Sequence, residues 1–383
     1  MRKLAFIGPM GSGKSTLARY IQGKYGGMVL DTDDMFTSRY GDIGRYMRDN
    51  GEAAFRNIEH ELVLHAVNSD ADIISCGGGV VLDKRNMSAL RSRYDIVGLT
   101  APTFILKSRI IDSGRPLKDD LERIVEERAE LYKRYSDYTI STSCGHSGQH
   151  LSDVLCRPRP RRYDIMLCDA DDTVLDFQKA MRTSIIHAAR DAGIRADDEK
   201  IVNEFGEASH IVWRKLEDGQ IERGELDKLR FTMLKERLQE DFDVLDMSKC
   251  FLENLKKTRY LIDGATEFLT AVRNRGIKVY IVTNGLASVA HERLKVLNGY
   301  ADGWFISEEI GYNKPDSRLF DFVFKTLGKV DKARTLMFGD SVNSDIVGGI
   351  NSGIDTCLFD PNARKSSSAD YTVRTFGELL KIL

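Results

Sequence analysis

Residues 4–15 read Leu4-Ala5-Phe6-Ile7-Gly8-Pro9-Met10-Gly11-Ser12-Gly13-Lys14-Ser15. Four apolar residues run straight into a GxxxxGK[ST] pattern matched at every position, and a helix-forming stretch follows from Ser15. The glycines let backbone N–H groups turn inward around phosphate oxygens, and a helix starting at this point adds its positive N-terminal end. The pattern assigns Gly11, Ser12, Gly13, Lys14, Ser15 and Thr16 to nucleotide binding. Lys14 is expected to reach the β- and γ-phosphates, and the Ser15 hydroxyl to ligate Mg2+. Strand, glycine loop and helix in this order open a parallel α/β sheet.

Outward from this loop the same rhythm continues. Strands are predicted over 28–30, 72–76 and 94–99, with helices from Ser15, near 53–67 and over 120–133. The pattern decays through 141–150, rich in Ser, Gly and His. Arg157-Pro158-Arg159-Pro160-Arg161-Arg162 then forms a stiff basic stretch of the kind that links domains. A new strand is predicted over 163–168, followed by others at 278–282, 303–306, 335–338 and 355–358. Between the first two lies a charged segment of helical periodicity, about 175–261, too long for a structureless loop. The expected organisation is a domain over 1–156, a linker over 157–162, and a second α/β domain over 163–383 carrying a helical insertion.

Composition narrows the function classes. A chain of 383 residues suggests two or three domains, and 42% apolar with 30% charged residues is ordinary for a globular protein. A net charge of -2 argues against general binding to nucleic acid or a membrane surface. No apolar run approaches the about 18 residues of a membrane span, and residues 1–7 read as a first strand, not a leader. The six cysteines show no CxxC pair, which favours a reducing, cytoplasmic setting. His60 and His65 stand five apart, not the four that would place two ligands on one helix face, and are read as structural.

A phosphate loop does not name an acceptor; the residues after it do more. Asp31-Thr32-Asp33 ends the second predicted strand, at the carboxyl edge where open α/β sheets bind ligands. Gly51-Glu52-xx-Phe55-Arg56-xx-Glu59, Cys76-Gly77-Gly78-Gly79, Arg115-Pro116-Leu117 and Glu127-Arg128-xx-Leu131-Tyr132 follow in order. Each alone has a plain alternative: Arg56–Glu59 as a helical surface pair, Gly77–Gly79 as a turn. Together they resemble shikimate kinase over about residues 1–155. The resemblance implies ATP as phosphoryl donor and Asp33 as the group that holds the acceptor hydroxyls and takes the proton. Arg56 and Arg128 would clamp the shikimate carboxylate, a match of guanidinium fork to carboxylate. Gly78 would lie against the ring, Asp31 in the magnesium shell, and Arg115 in a lid closing on the phosphates. The lid reads Leu117-Lys118 where the family commonly has a second leucine.

The second half has its own series. Asp169-Ala170-Asp171-Asp172-Thr173 follows a strand, as do Thr283-Asn284-Gly285 and Gly339-Asp340-Ser341-xxx-Asp345, with Lys314-Pro315 between the last two. This looks like the four-motif series of the haloacid dehalogenase superfamily, and implies a Rossmann-like sheet with an inserted helical cap. Asp169 would attack phosphorus, and Asp171 would give and take the proton. Thr283 and Lys314 would hold the phosphoryl oxygens. Asp169, the Asp171 backbone carbonyl and Asp340 would ligate Mg2+, with Asp345 supporting. Phe205, Trp213, Phe231 and Phe242 are the aromatic candidates of the insertion. The core motifs look most like bacterial nucleotidases acting on pyrimidine nucleoside 5′-monophosphates.

The expectation is a bifunctional, magnesium-dependent enzyme of small-molecule substrates, monomeric or a small homo-oligomer. The competing readings are another small polyol as kinase acceptor, a nucleotide-sensing first half, and sugar phosphates as substrates of the second.

Overall fold

The apolar run before the glycine loop is strand β1 (Leu4–Ile7), buried along its whole length because it lies mid-sheet. The computed structural model describes residues 2–112, 121–143, 147–155, 161–217 and 220–383. They form two compact units, Met1–Tyr163 with Gly377–Leu383, and Asp164–Phe376.

In the first unit the chain runs β1, α1 (Lys14–Tyr25), β2 (Val29–Asp31), α2 (Thr32–Tyr40), α3 (Ile43–Asn50), α4 (Glu52–Asn68), β3 (Ile73–Ser75), α5 (Lys84–Arg93), β4 (Asp95–Thr100), α6 (Thr103–Asp112), α7 (Leu121–Tyr135), β5 (Tyr138–Ser141) and α8 (Ser147–Leu155). The sheet order is β2-β3-β1-β4-β5, and every pairing is parallel. Alternation along β1 sends its side chains to two cores. Leu4 and Phe6 join Leu17 and Ile21 of α1, whereas Ala5 and Ile7 join Val63 of α4 and Leu90 of α5. A third cluster, Phe36, Phe55 and Leu62, ties α2 to α4.

Helices α2, α3, α5, α6 and α8 and strand β5 lie outside the elements the sequence predicts. β5 is an edge strand whose Thr139 and Ser141 face solvent, so its apolar signal is thin. Helix α8 lies in the stretch read as a decay of pattern, anchored by Leu151. Strand β2 also ends one residue later than predicted. Asp31 both closes it and caps α2, its carboxylate accepting from the Asp33 and Asp34 N–H groups.

The second unit begins with β6 (Ile165–Cys168). Four helices follow: α9 (Phe177–Asp191), α10 (Asp198–Glu217), α11 (Leu226–Leu238) and α12 (Val244–Lys257). The chain then runs α13 (Ala265–Asn274), β7 (Lys278–Thr283), α14 (Ala287–Leu294), β8 (Gly303–Ile306), α15 (Ser307–Ile310), α16 (Ser317–Leu327), β9 (Thr335–Gly339), α17 (Val347–Ser352), β10 (Asp355–Phe359) and β11 (Tyr371–Val373), before α18 (Phe376–Ile382), which from Gly377 belongs to the first unit. The order β11-β10-β9-β6-β7-β8 is again wholly parallel. It makes β9, β6 and β7 neighbours, so the segments after their carboxyl ends converge. Helices α9 to α12 share a separate core with Ile185, Phe205, Phe231 and Phe251, joined by Val289 of α14.

The fold class is the one the sequence motifs imply: a phosphate-loop parallel sheet, then a Rossmann-like sheet with a helical insertion. Among the described residues no helix is long and apolar enough to cross a membrane.

Two candidate active sites

The glycine loop of the first unit is packed too closely at Gly8 and Gly11 to admit side chains. A Cβ on Gly8 would lie 2.4 Å from the Leu99 carbonyl oxygen, and one on Gly11 2.8 Å from that of Leu106. Lys14 is buried and donates to the carbonyls of Gly8 (2.8 Å) and Pro9 (3.0 Å), folding back over its own loop. The Ser15 hydroxyl donates to Asp31 Oδ2 at 2.6 Å, joining two residues that the sequence placed around magnesium. Gly13 caps α1 in the left-handed region, while Ser12 is buried and Thr16 exposed.

Beside the loop, residues from α2, α4, α7 and the turn after β3 meet. A Cβ on Gly77 would lie 2.5 Å from Asp33 Oδ1, and one on Gly79 2.2 Å from Arg56 Nη1. Arg56 donates to Glu59 (2.8 Å) and Glu52 (2.9 Å). Arg128 donates to the Gly78 carbonyl at 3.1 Å, and the Tyr132 hydroxyl reaches the same oxygen at 2.5 Å. Asp33, Arg56, Gly78 and Arg128 thus lie around one turn. A Cβ on Gly78 would stand 3.4 Å from the Met10 N–H nitrogen, so this turn adjoins the phosphate loop.

Glu59 and Tyr132 had no role in the sequence reading. The reading of Arg56–Glu59 as a surface pair needs correction, since Glu59 is only 4% exposed. Burial raises the Glu59 pKa, and the nearby Asp33 charge adds to this against the pull of Arg56. Burial likewise pushes the Tyr132 phenol up to about 12. Their only sequence signal was spacing, three and four residues after the two arginines. Arg115 falls in 113–120, outside the described residues.

In the second unit Asp169 follows β6, and its N–H is held by the Phe338 carbonyl of β9 at 2.8 Å. Lys314 is 3% exposed and bridges the carboxylates of Asp169 and Asp345, the latter at 2.7 Å. Burial opposes the Lys314 charge, but the two carboxylates win and raise its pKa. Asn284 fixes the lysine backbone by two hydrogen bonds (3.0 and 2.9 Å), a role its motif position did not disclose. The Thr283 hydroxyl accepts from the Gly285 N–H at 3.1 Å. Asp345 accepts from the Ser341 N–H, in a space that exists because residue 339 is glycine: a Cβ there would meet Asp345 Oδ2 at 2.2 Å.

Carboxylate oxygens of Asp169, Asp340 and Asp345 lie within 4.8 Å of one another. Burial, followed by the charge of Asp169, pushes Asp340 up to about 6; burial together with Asp169, against the pull of Lys314, pushes Asp345 up to about 7. Such mutual repulsion is what a divalent cation relieves, so the oxygen donors fit magnesium. The Asp171 carboxylate accepts from Arg293 Nη1 at 2.5 Å; the metal expectation for Asp171 concerns only its backbone carbonyl. Burial raises the Asp171 pKa, and Arg293 opposes it.

Asp169, Asp171, Thr283 and Lys314 open on a cavity of about 900 Å³, whose walls include Trp213 and Arg230 of the helical insertion. Of the aromatic candidates, Phe205, Phe231 and Phe242 are insertion core, and Trp213 reaches the cavity. Sequence reasoning passed over Arg230 and Arg293, since neither stands in a motif.

Comparison with known proteins finds two families along the chain. The shikimate kinase family model matches residues 10–156, and the haloacid dehalogenase-like hydrolase model residues 163–353. The HAD-hydrolase YfnB of Bacillus subtilis is 30% identical over 228 residues, 58% of this chain and 96% of its own length. Its crystal structure, bound to magnesium, gives a TM-score of 0.55 over 58% of this chain and 99% of that one. The pyrimidine 5′-nucleotidase YjjG of Escherichia coli is 29% identical over 227 residues, 58% of this chain and 98% of its own. A shikimate kinase of Dehalococcoides mccartyi is 32% identical over 162 residues, 40% of this chain and 92% of its own. The chain therefore belongs to two families at once, a shikimate kinase followed by a haloacid dehalogenase-like hydrolase, and joins a kinase to a phosphatase in one polypeptide.

Proposed function

We propose that the first unit phosphorylates shikimate from ATP and that the second hydrolyses a nucleoside 5′-monophosphate through an aspartyl-phosphate. The observation that carries the first part is the turn Gly77–Gly79, which gathers Asp33, Arg56 and Arg128 next to the phosphate loop. Arg56 and Arg128 present guanidinium groups to the acceptor carboxylate, and Arg56 exchanges an internal carboxylate, Glu59, for the external one. Asp33 orients the attacking hydroxyl and accepts its proton as oxygen bonds to the γ-phosphorus and the bond to the β–γ bridging oxygen breaks. Lys14 shifts from the loop carbonyls to the phosphates, and Arg115 is assigned to the closing lid.

For the second part, the supporting observation is Lys314 lodged between Asp169 and Asp345. Asp169 attacks phosphorus while Asp171 protonates the departing alkoxide. Asp171 then deprotonates a water, whose oxygen attacks phosphorus and releases Asp169 with inorganic phosphate. Thr283 and Lys314 hold the phosphoryl oxygens throughout. Magnesium would supply positive charge opposite these oxygens, with Ser15 and Asp31 as its residues in the first unit, and Asp169, the Asp171 carbonyl, Asp340 and Asp345 in the second. The helical insertion acts as the cap over the cavity. The nucleotide reading follows the relatives named pyrimidine 5′-nucleotidase.

Assays of both activities on the whole chain test this. Lys14→Ala is expected to abolish shikimate phosphorylation and spare phosphate release from UMP; Asp169→Asn is expected to do the reverse. Retention of shikimate phosphorylation by Lys14→Ala overturns the kinase assignment.

A further inference from the structure

The cavity of the second unit is bordered by two buried arginines, each with part of its hydrogen-bonding capacity unfilled. Arg230, from α11, is 4% exposed. Its guanidinium carbon lies 4.9 Å from the Phe251 ring and 5.3 Å from those of Phe205 and Phe231. Asp227 forms an ion pair with it at 2.6 Å. That carboxylate engages Nη2, whereas Arg230 Nε has no hydrogen-bond partner. Arg293, 3% exposed, gives Nη1 to Asp171, while its Nε and Nη2 have no partner.

Sequestering a guanidinium in an aromatic core is costly unless its N–H groups are satisfied, and an apolar residue of similar shape is often the more stable choice. A site that keeps such a group unfilled gains when a ligand with acceptor atoms arrives. The walls describe that ligand further. Beside the phosphoryl-binding groups, Phe177, Trp213, Leu252 and Leu255 give the cavity an apolar and aromatic lining. A flat ring carrying oxygen acceptors fits such a wall. Arginine offers donors only, so it pairs well with a carbonyl oxygen, which every pyrimidine base carries, whereas adenine presents only ring nitrogens as acceptors.

We propose that Arg230 is a specificity-determining residue of the phosphatase, donating to a carbonyl oxygen on the planar base of a nucleotide held against the Trp213 side of the cavity. This rests on the nucleoside monophosphate reading above. Removing the contact lowers kcat/KM for a nucleotide by about 10- to 100-fold, mainly through KM, and changes a substrate without a base far less.

The test compares UMP, AMP, ribose 5-phosphate and p-nitrophenyl phosphate on wild type, Arg230→Met and Arg230→Lys, with magnesium present and thermal melting as the folding control. Wild type is expected to prefer UMP over AMP and ribose 5-phosphate. In Arg230→Met the loss is expected to be at least ten times larger for UMP than for p-nitrophenyl phosphate, and Arg230→Lys to fall between. Should Arg230→Met fail to fold, Arg230→Lys carries the same comparison. Equal losses on UMP and p-nitrophenyl phosphate would reveal a structural arginine and overturn the inference. A wild type that hydrolyses ribose 5-phosphate as well as UMP overturns the nucleotide reading itself. A UMP preference kept in both variants overturns only the role of Arg230.

Discussion

Lys314 is asked to be a cation where burial disfavours one, and it remains so because Asp169 and Asp345 flank it. Removing it leaves two buried carboxylates facing each other. Lys314→Met is expected to cost about 3–5 kcal/mol of stability in denaturant unfolding without metal and to lower phosphatase turnover by about 10²–10³-fold. Adding Asp345→Asn to it restores part of the stability, because one of the opposed charges is gone. The first unit offers a comparable single-residue test. Gly79→Ala sets a Cβ where Arg56 Nη1 now lies, 2.2 Å away, so the guanidinium must move. The KM for shikimate is expected to rise about tenfold, with the KM for ATP nearly constant, in steady-state assays with each substrate varied.

At the scale of elements, a buried ion pair ties the two final strands of the first sheet to the chain leaving it. Asp137 precedes β5, accepts from the Ile96 N–H of β4, and pairs with Arg162 at 2.8 Å, both side chains 2% exposed. Arg162 also donates to the carbonyls of Arg91 and Tyr94. The sequence places it at the end of the stiff basic linker 157–162, yet it is a buried fastening. Burial alone would raise the Asp137 pKa, but the hydrogen bonds and charge of Arg162 lower it. A depressed folded value adds stability that is full above the unfolded value near 4 and lost as pH falls through the folded one. Asp137→Asn should therefore cost roughly 3 kcal/mol at pH 7 and flatten the acid limb of the stability curve, read by urea unfolding between pH 3 and 7. The sequence disclosed strands in two ways: β1, β6, β7 and β9 run into glycine or aspartate segments that chemistry constrains, and β4, β8 and β10 stand out as apolar runs. Strands β5 and β11 carry no such marker and few buried residues, so their pairing is decided by the sheet. Arg293 was hidden for a related reason. Its partner Asp171 stands 122 positions away, and no local pattern reports a contact made across a fold.

At the scale of the molecule, the segment Gly377–Leu383 clusters with the first unit although the second precedes it in the chain. Leu379 is fully buried, Ile382 and Leu383 nearly so, and Arg162 reaches the Ile382 carbonyl at 3.4 Å. Deleting residues 377–383 is expected to lower the temperature at which shikimate phosphorylation is lost by several degrees and to affect phosphate release less, in parallel heat-inactivation curves.

The same connectivity sets an order of events during synthesis. Residues 1–163 leave the ribosome first, but the segment that completes their unit is translated only after all of 164–376. The kinase is thus held incomplete while the phosphatase emerges and folds as a unit. A ribosome stalled between 163 and 377 carries a first domain without its closing segment, exposed to proteases and chaperones for the whole time the second takes to be made.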